Sequence, residues 1–135
     1  MTTTPESKQS APSAIRRTSS PSVSVFALNL DQLRICLKRA VARLAETHPE
    51  IDEVWLFGSL ARGDAVPGSD ADLLIVLSDS QSPFLDRSVR YQPDFCGIGV
   101  DVLAYTRSEL AGMQAEGSAF LQRTQTEGIC LFRRS

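Results

Sequence analysis

The clearest chemical signal in this 135-residue chain comes from three aspartates, Asp70, Asp72 and Asp101. Asp70 and Asp72 are two residues apart at the head of an apolar run, and alternate side chains of a strand project from the same face. Asp101 is the one charged residue of a later apolar run, so a neighbouring strand could bring it beside them. Carboxylates this close repel one another unless cations neutralise them, and oxygen-only ligands select Mg²⁺ or Mn²⁺ rather than zinc. Two such ions can clamp the attacking and leaving oxygens of a phosphoryl displacement.

A second group of residues is suited to holding phosphate. Gly58 ends an apolar run and would let the backbone approach a phosphate closely, whereas Phe57 before it is predicted to be a core residue. Ser59 adds a hydroxyl and a backbone N–H at the start of a predicted short helix, where anions are favoured. Arg62 could reach the same phosphates with its planar guanidinium, and a solvent-exposed helix arginine is the equal alternative. Phosphate ligands beside a divalent-cation site indicate nucleotide chemistry.

Composition and charge narrow the classes of function. The hydrophobic fraction of 42% and the charged fraction of 22% are ordinary for a soluble globular domain, and the formal net charge is −2. The first 28 residues carry Lys8, Arg16 and Arg17 against Glu6, or +2, which leaves −4 for the rest. That acidic balance counts against nucleic-acid binding. No apolar run approaches the roughly 20 residues that cross a bilayer, so no membrane partner is expected.

The cysteines and the histidine argue against other mechanisms. Cys36, Cys96 and Cys130 are odd in number and have neither CxxC nor Cys/His ligand spacing, which predicts reduced, mostly buried thiols in a cytoplasmic protein. His48 is the only histidine and precedes Pro49 at a predicted helix end. A Ser-His-Asp triad or a His-rich zinc site would depend on that one residue, which counts against both.

Hydrophobic periodicity predicts the elements that position the three aspartates. Residues 1–27 are rich in Ser, Thr and Pro without a hydrophobic period, which predicts a disordered N-terminal tail before a single domain over residues 28–135. The pattern predicts, in order, a helix from Asn29 to about Thr47, a strand over 53–57, a short helix over 59–62, a strand over 70–77, a short helix around 84–91, a strand over 97–104, a helix opened by the capping box of Thr106 and Glu109, a helix over about 118–126 and a strand over 129–132. This alternation indicates an α/β or α+β domain built on a small sheet.

Two of the predicted strands locate the site. The strand over 70–77 should be buried on one face throughout and open on the other face only at its start, where two of the aspartates lie. That pattern is typical of a site at the end of a sheet. In the strand over 97–104, Gly97 and Gly99 share a face with Asp101 and predict empty volume that a bulky ligand could fill.

The order and spacing of these residues carry a family resemblance. Gly58-Ser59, then ten residues, then Asp70-Ala71-Asp72-Leu73, and later Val100-Asp101-Val102 resemble the signature of the DNA polymerase β-like nucleotidyltransferase superfamily. The stretch Gly58–Gly63 with Ser69-Asp70 is similar to the minimal nucleotidyltransferases of prokaryotes, and the resemblance covers about residues 30–132. It implies the polymerase β-like fold, a small mixed β-sheet flanked by helices. It also implies two bound metal ions, Mg²⁺ with Mn²⁺ as an alternative, catalytic and metal-binding roles for Asp70, Asp72 and Asp101, and nucleotide-binding roles for Gly58, Ser59, Arg62 and Ser69.

The resemblance further implies an activity and a partner. The chain would transfer a nucleoside monophosphate, AMP from ATP in the first instance although another NTP stays open, to a tyrosine hydroxyl of a separately encoded HEPN-domain toxin, and so act as an antitoxin. Two other interpretations stay open: a non-catalytic antitoxin that neutralises its partner by contact, and nucleotidyl transfer to a small molecule such as an aminoglycoside or to RNA. The acidic domain without basic patches counts against RNA.

Overall fold

The computed structural model describes residues 22–135, with side chains from Leu30 onward. Within that range its elements are α1 (Ser22–Thr47), β1 (Ile51–Phe57), α2 (Ser59–Arg62), β2 (Ala71–Leu77), α3 (Phe84–Arg90), β3 (Val100–Thr106), α4 (Arg107–Ala115), α5 (Ala119–Glu127) and β4 (Ile129–Arg133). The predicted fold class is confirmed, because the elements form a four-stranded mixed sheet flanked by helices. No helix in the described range is both long and apolar enough to cross a membrane.

The sheet has the strand order β3-β2-β1-β4. β1 runs antiparallel to β2 and to β4, whereas β2 and β3 run parallel and are joined by a crossover that contains α3. A parallel pair needs such a longer connection, because the chain must return to the same end of the sheet. β2 is thus a central strand, with β1 and the following Gly58 on one side and β3 with Asp101 on the other.

The inner face of β2 forms the middle of the hydrophobic core. Its residues are all fully buried: Ala71, Leu73, Ile75 and Leu77. They pack in one cluster with Leu37 and Val41 of α1, and burial of each large aliphatic side chain contributes about 1.5–3 kcal/mol. On the opposite face Leu74 and Val76 are also buried, whereas Asp72, nearer the start of the strand, is partly exposed. The predicted opening at the start of this strand is therefore present.

α1 is longer than periodicity predicts. It begins at Ser22, so Asn29 lies inside the helix and does not cap it. The apolar spacing of three and four residues continues upstream at Val23 and Phe26, which explains the extension. Of the tail predicted to be disordered over residues 1–27, residues 22–27 belong to α1, and residues 1–21 lie outside the described residues.

A disulfide joins Cys36 in α1 to Cys96 in the segment before β3, with the two Cα atoms 5.9 Å apart. The prediction of three reduced, mostly buried thiols is therefore wrong, and the free Cys130 is exposed. Local spacing could not reveal the bond, because the two cysteines are 60 residues apart and come together only in the folded chain. Disulfides persist mainly in oxidising compartments, so the cysteines no longer argue for a cytoplasmic location. That location stays a prediction.

α3 is fixed beside β3 by buried polar side chains. Arg87 is 4% exposed, and its guanidinium donates to the Ala104 carbonyl at 3.1 Å and to the Glu109 carboxylate at 2.7 Å. Just after the helix, the buried Tyr91 donates its hydroxyl to Glu50 at 2.6 Å. Charge-assisted bonds of this kind have fixed geometry, so they hold α3 in one orientation at the edge of the sheet.

Candidate active site

The register of the sheet places two of the predicted catalytic residues side by side. Asp72 of β2 is the Cα partner of Asp101 in β3 and, on its other side, of Phe57 in β1. Asp70 lies just before β2 and is exposed, as is Asp101, whereas Asp72 is partly buried. The structure therefore places Asp72 beside Asp101 at the open end of β2, and Asp70 precedes the first residue of that strand.

The charges of the two other aspartates act on the Asp72 carboxyl. Burial raises the pKa of the Asp72 carboxyl above its ordinary value, and the negative charges of Asp101 and Asp70 raise it further. The positive charge of Arg62 lowers the same pKa. Neighbouring negative charges raise a carboxyl pKa only at short range, because water and salt screen charges that are farther away. A cation bound among the carboxylates would relieve the repulsion.

The donor set suits a hard divalent cation, because all three side chains offer only carboxylate oxygens. In the part of the chain that the structure describes, no three Asp, Glu, His or Cys side chains are grouped as a ready-made ion site. The roles of Asp70, Asp72 and Asp101 as ligands of two ions therefore stay a prediction about the loaded protein. Mg²⁺ bound there would supply Lewis-acid stabilisation of the charge on phosphate oxygens.

Two glycines let carboxylates approach the backbone. A Cβ placed on Gly58 would lie 2.5 Å from Oδ2 of Asp72, and Gly58 has a φ of +78°, which residues with side chains rarely adopt. A Cβ placed on Gly99 would lie 2.7 Å from Oδ1 of Asp70. The prediction of free ligand volume beside Gly97 and Gly99 is therefore wrong at Gly99, because β3 begins after both glycines and Asp70 occupies the space.

The predicted nucleotide-binding residues follow β1 and the turn before β2. Ser59 opens α2, a four-residue helix too short for a sizeable dipole, so the anion-binding contribution predicted for its N-terminus is small. Arg62 is paired at the surface with Asp64 at 3.1 Å and with Glu127 at 3.4 Å. The Ser69 hydroxyl accepts a backbone N–H within its own turn at 3.1 Å, which gives it a structural role. Phosphate binding by these residues stays a prediction.

A pocket of about 440 Å³ opens over the paired aspartates. The sheet contributes Phe57, Asp72 and Asp101 to its lining, and Ser88 and Gln92 reach it from α3 and the residue after the C-cap of α3. The remaining lining residues are Val100, Val102 and Leu103 of β3. The pocket is large enough for a small ligand or for a side chain of another protein.

Apart from the neighbours of Asp101 in β3, three residues of this pocket were not predicted as site residues. Phe57, predicted as a core residue, is instead partly exposed and lines the pocket. The alternation of the buried Val54 and Leu56 is a usable signal, because it places Phe57 on the opposite face of β1. Ser88 and Gln92 carry no local signal, since their position depends on how α3 packs against β3.

Comparisons with known proteins bear on the fold and on the family. The family model described as a nucleotidyltransferase domain matches residues 37–116, more than half of the chain and all of the site described above. A solved structure described as a nucleotidyltransferase from Sulfolobus solfataricus is 23% identical, with a TM-score of 0.56, over 80% of this chain and 87% of that one. Structures of a toxin–antitoxin with AMP-PNP and of a mutant toxin–antitoxin MntA–HpeT are 16% and 14% identical, each with a TM-score of 0.47 over 73% of this chain and 74% of theirs.

No curated protein sequence matches the chain. At 23% identity the Sulfolobus structure shows a shared fold, and the two toxin–antitoxin structures are too distant to add to that. The family match spans the glycine, the paired aspartates and the pocket between α3 and β3. On that match, the chain belongs to the nucleotidyltransferase domain family.

Proposed function

We propose that this chain is a divalent-cation-dependent enzyme that transfers AMP from ATP to a hydroxyl of a separate protein. The observation that carries the proposal is the cross-strand pair of Asp72 and Asp101, with Gly58 packed against Asp72. Nucleotidyl transfer needs acidic ligands for cations at the α-phosphate, a close backbone approach for the phosphates and a carboxylate near the incoming hydroxyl. Residues of all three kinds meet at one end of β2.

The proposed reaction is a single in-line displacement at the α-phosphorus. The acceptor oxygen bonds to the α-phosphorus while the bond from that phosphorus to the bridging oxygen of the β-phosphate breaks, and pyrophosphate leaves. Asp101 is exposed in the pocket and takes the proton of the acceptor hydroxyl. The proposed cation ligands are Asp70, Asp72 and Asp101, and the proposed nucleotide ligands are Gly58, Ser59, Arg62 and Ser69.

The acceptor in this proposal is a tyrosine of a HEPN-domain toxin encoded beside the chain, which thereby acts as an antitoxin. The support is the similarity of Gly58–Gly63 and Ser69-Asp70 to the minimal nucleotidyltransferases. The pocket supports a protein acceptor over RNA, because the residues that line it in the described structure include no Lys or Arg to bind a phosphate backbone.

Intact-mass spectrometry tests the proposal. The purified chain, the HEPN-domain protein and Mg²⁺-ATP should yield a partner heavier by one AMP, and a mixture of NTPs should show which nucleotide is used. Asp72→Asn should lower the rate at least about 100-fold, because a cation ligand and its charge are lost. Asp79→Asn alters an exposed carboxylate outside the site and should keep the wild-type rate. Transfer by Asp72→Asn at the full rate would contradict the proposal.

The same variant separates this proposal from an antitoxin that acts by contact alone. Cells that express the toxin should lose protection when Asp72→Asn replaces the wild-type chain, because the toxin stays unmodified. Full protection by Asp72→Asn would favour neutralisation by contact. Binding of the variant to the toxin must be measured alongside, so that a loss of contact is not taken for a loss of chemistry.

A further inference from the structure

The pocket beside Asp101 opens onto a face of α3 that the proposed chemistry does not use. Ser88 and Gln92, four residues apart, line the pocket. At 3.6 residues per turn, Leu85 lies about 60° and Val89 about 100° round the helix axis from Ser88, both in the same direction. They are 81% and 78% exposed, so both present apolar surface to water next to the pocket. We call Leu85 and Val89 the α3 rim.

The α3 rim stands on a helix that is held from its buried side. Arg87, between the two rim residues in sequence, donates hydrogen bonds to the backbone of β3 and to Glu109 at the start of α4. Tyr91 is buried and bonded to Glu50. The surface is therefore preformed, and a partner that binds it loses little free energy in ordering the helix.

The pocket wall next to the α3 rim offers hydrogen-bond acceptors. The Ser88 hydroxyl donates to the Leu85 carbonyl at 3.2 Å, and Nε2 of Gln92, as the amide is assigned, donates to the Ser88 carbonyl at 2.8 Å. These bonds use the hydroxyl donor and one amide donor, and they leave the hydroxyl oxygen and the amide carbonyl as acceptors. Asp72 and Asp101 add carboxylate oxygens to the same pocket. The free acceptors of Ser88 and Gln92 favour a partner that offers N–H and O–H donors.

The positions of Gly58, Asp72, Asp101 and α3 across the sheet indicate from which side the acceptor hydroxyl would enter the pocket. Gly58 touches Asp72 from β1, Asp101 pairs with Asp72 from β3, and α3 packs against β3 at the edge of the sheet. An in-line displacement needs the leaving pyrophosphate and the incoming oxygen on opposite sides of the α-phosphorus. With the triphosphate at Gly58, the acceptor enters from the side of α3.

We propose that this face of α3 is the docking site for the acceptor protein. An extended segment of that protein donates main-chain N–H groups to Ser88 and Gln92, packs apolar side chains on the α3 rim, and so presents its hydroxyl to Asp101. The inference rests on the proposed function, because it takes the acceptor to be a protein. Apolar rim residues would contribute nothing to the binding of an RNA backbone, which depends on cationic side chains.

Isothermal titration calorimetry with the HEPN-domain protein tests the docking site independently of catalysis. The double variant Leu85→Asp, Val89→Asp should raise Kd at least about tenfold, because two apolar contacts are replaced by charges that must be desolvated. Ile35→Asp on α1 replaces another exposed apolar residue (52%) and should change Kd less than about twofold. All three proteins should bind a fluorescent ATP analogue with Mg²⁺ equally, since neither change is in the nucleotide site.

Gln92→Ala is a milder change at an exposed residue and guards against misfolding of the double variant. It should raise KM for the partner and leave kcat unaltered, because it removes one acceptor from the docking site and nothing from the chemistry. An equal fall in kcat would overturn this placement of Gln92.

The outcomes separate the docking site from the proposed function. A Kd unchanged by the double variant overturns the docking site, as does an equal loss in Ile35→Asp or the absence of any binding by the wild type. Weaker binding by the double variant, with no AMP ever found on the partner, keeps the docking site and overturns the proposed function. AMP transfer by the double variant at the wild-type KM keeps the function and overturns the docking site.

Discussion

Gly58 and Gly99 are the residues at which the site leaves least room for change. In each case an added Cβ would clash with a carboxylate oxygen, 2.5 Å away on Asp72 or 2.7 Å away on Asp70. Any side chain there would have to displace a predicted cation ligand. Because Gly58 also has a φ of +78°, a substitution at that position combines backbone strain with a steric clash.

Gly58→Ala should abolish most of the transfer activity, and Gly63→Ala separates the two causes. Gly63 has a φ of +88°, but a Cβ added there would meet nothing within 4 Å, so its variant suffers backbone strain alone. Both variants should lose about 1 kcal/mol or more of the free energy of unfolding. Only Gly58→Ala should also lose at least about 100-fold in kcat, because Asp72 must move. Equal kcat values for the two variants, measured beside their urea unfolding curves, would contradict the steric role of Gly58.

At the scale of elements, the disulfide restrains the segment that leads from α3 into β3. Cys96 binds this segment to α1, and Gly99 at its far end accepts the Ala71 N–H at 2.9 Å and abuts Asp70. The segment has no helix or strand of its own between those points. The covalent bond to α1 therefore restrains the backbone that leads to Gly99, which contacts Asp70 on one side of the site.

Reduction of this disulfide should lower the free energy of unfolding by about 2–4 kcal/mol, because the unfolded chain regains the entropy that a long covalent loop removes. Urea unfolding with and without dithiothreitol measures the change, and Cys36→Ser should match the reduced wild type. Cys130→Ser removes an exposed free thiol and is the control, with no change expected. Alkylation of the unfolded, unreduced protein should label one cysteine, and labelling of all three would contradict the bond.

The order of elements and the two faces of β2 could be predicted, because hydrophobic periodicity records which side of each element is buried. The meeting of the paired aspartates follows from two such patterns on neighbouring strands. The features that could not be predicted depend on contacts between segments far apart in sequence, and such contacts leave no local sequence pattern. The Cys36–Cys96 bond and the Arg87–Glu109 pair exist only because α3 returns the chain to α1 and to the start of α4, and the same packing turns Ser88 to the pocket.

At the scale of the whole molecule, three glutamates link separate parts of the fold. Burial raises the pKa of Glu50 and of Glu53, but hydrogen bonds and nearby cations outweigh it and lower both values. Hydrogen bonds from Arg87 lower the pKa of Glu109 in spite of some burial. Each group holds its proton less tightly in the folded chain, so the unfolded chain binds more protons at acidic pH. Their stabilising contribution is therefore complete above the ordinary value of 4.5 and is lost as pH falls through the lowered pKa values.

Glu109→Gln isolates one part of this pH dependence. At pH 7 the variant should be less stable by about 1 kcal/mol, a modest figure because the Glu109 carboxylate is 41% exposed and its attraction to the buried Arg87 is partly screened. The deficit should shrink toward zero as pH falls well below 4.5, since the wild-type carboxyl then becomes neutral as well. Asp72, whose pKa is raised, changes the stability with pH in the opposite direction, but both proteins contain it, so its effect cancels when their free energies of unfolding are subtracted.

Urea unfolding of the wild type and of Glu109→Gln from pH 7 to pH 3 measures this difference in stability. The exposed Glu116→Gln is the control and should be as stable as the wild type throughout. A deficit that persists undiminished at pH 3 would mean that Glu109 stabilises the fold through its shape and its capping of α4, and not through its charge on Arg87.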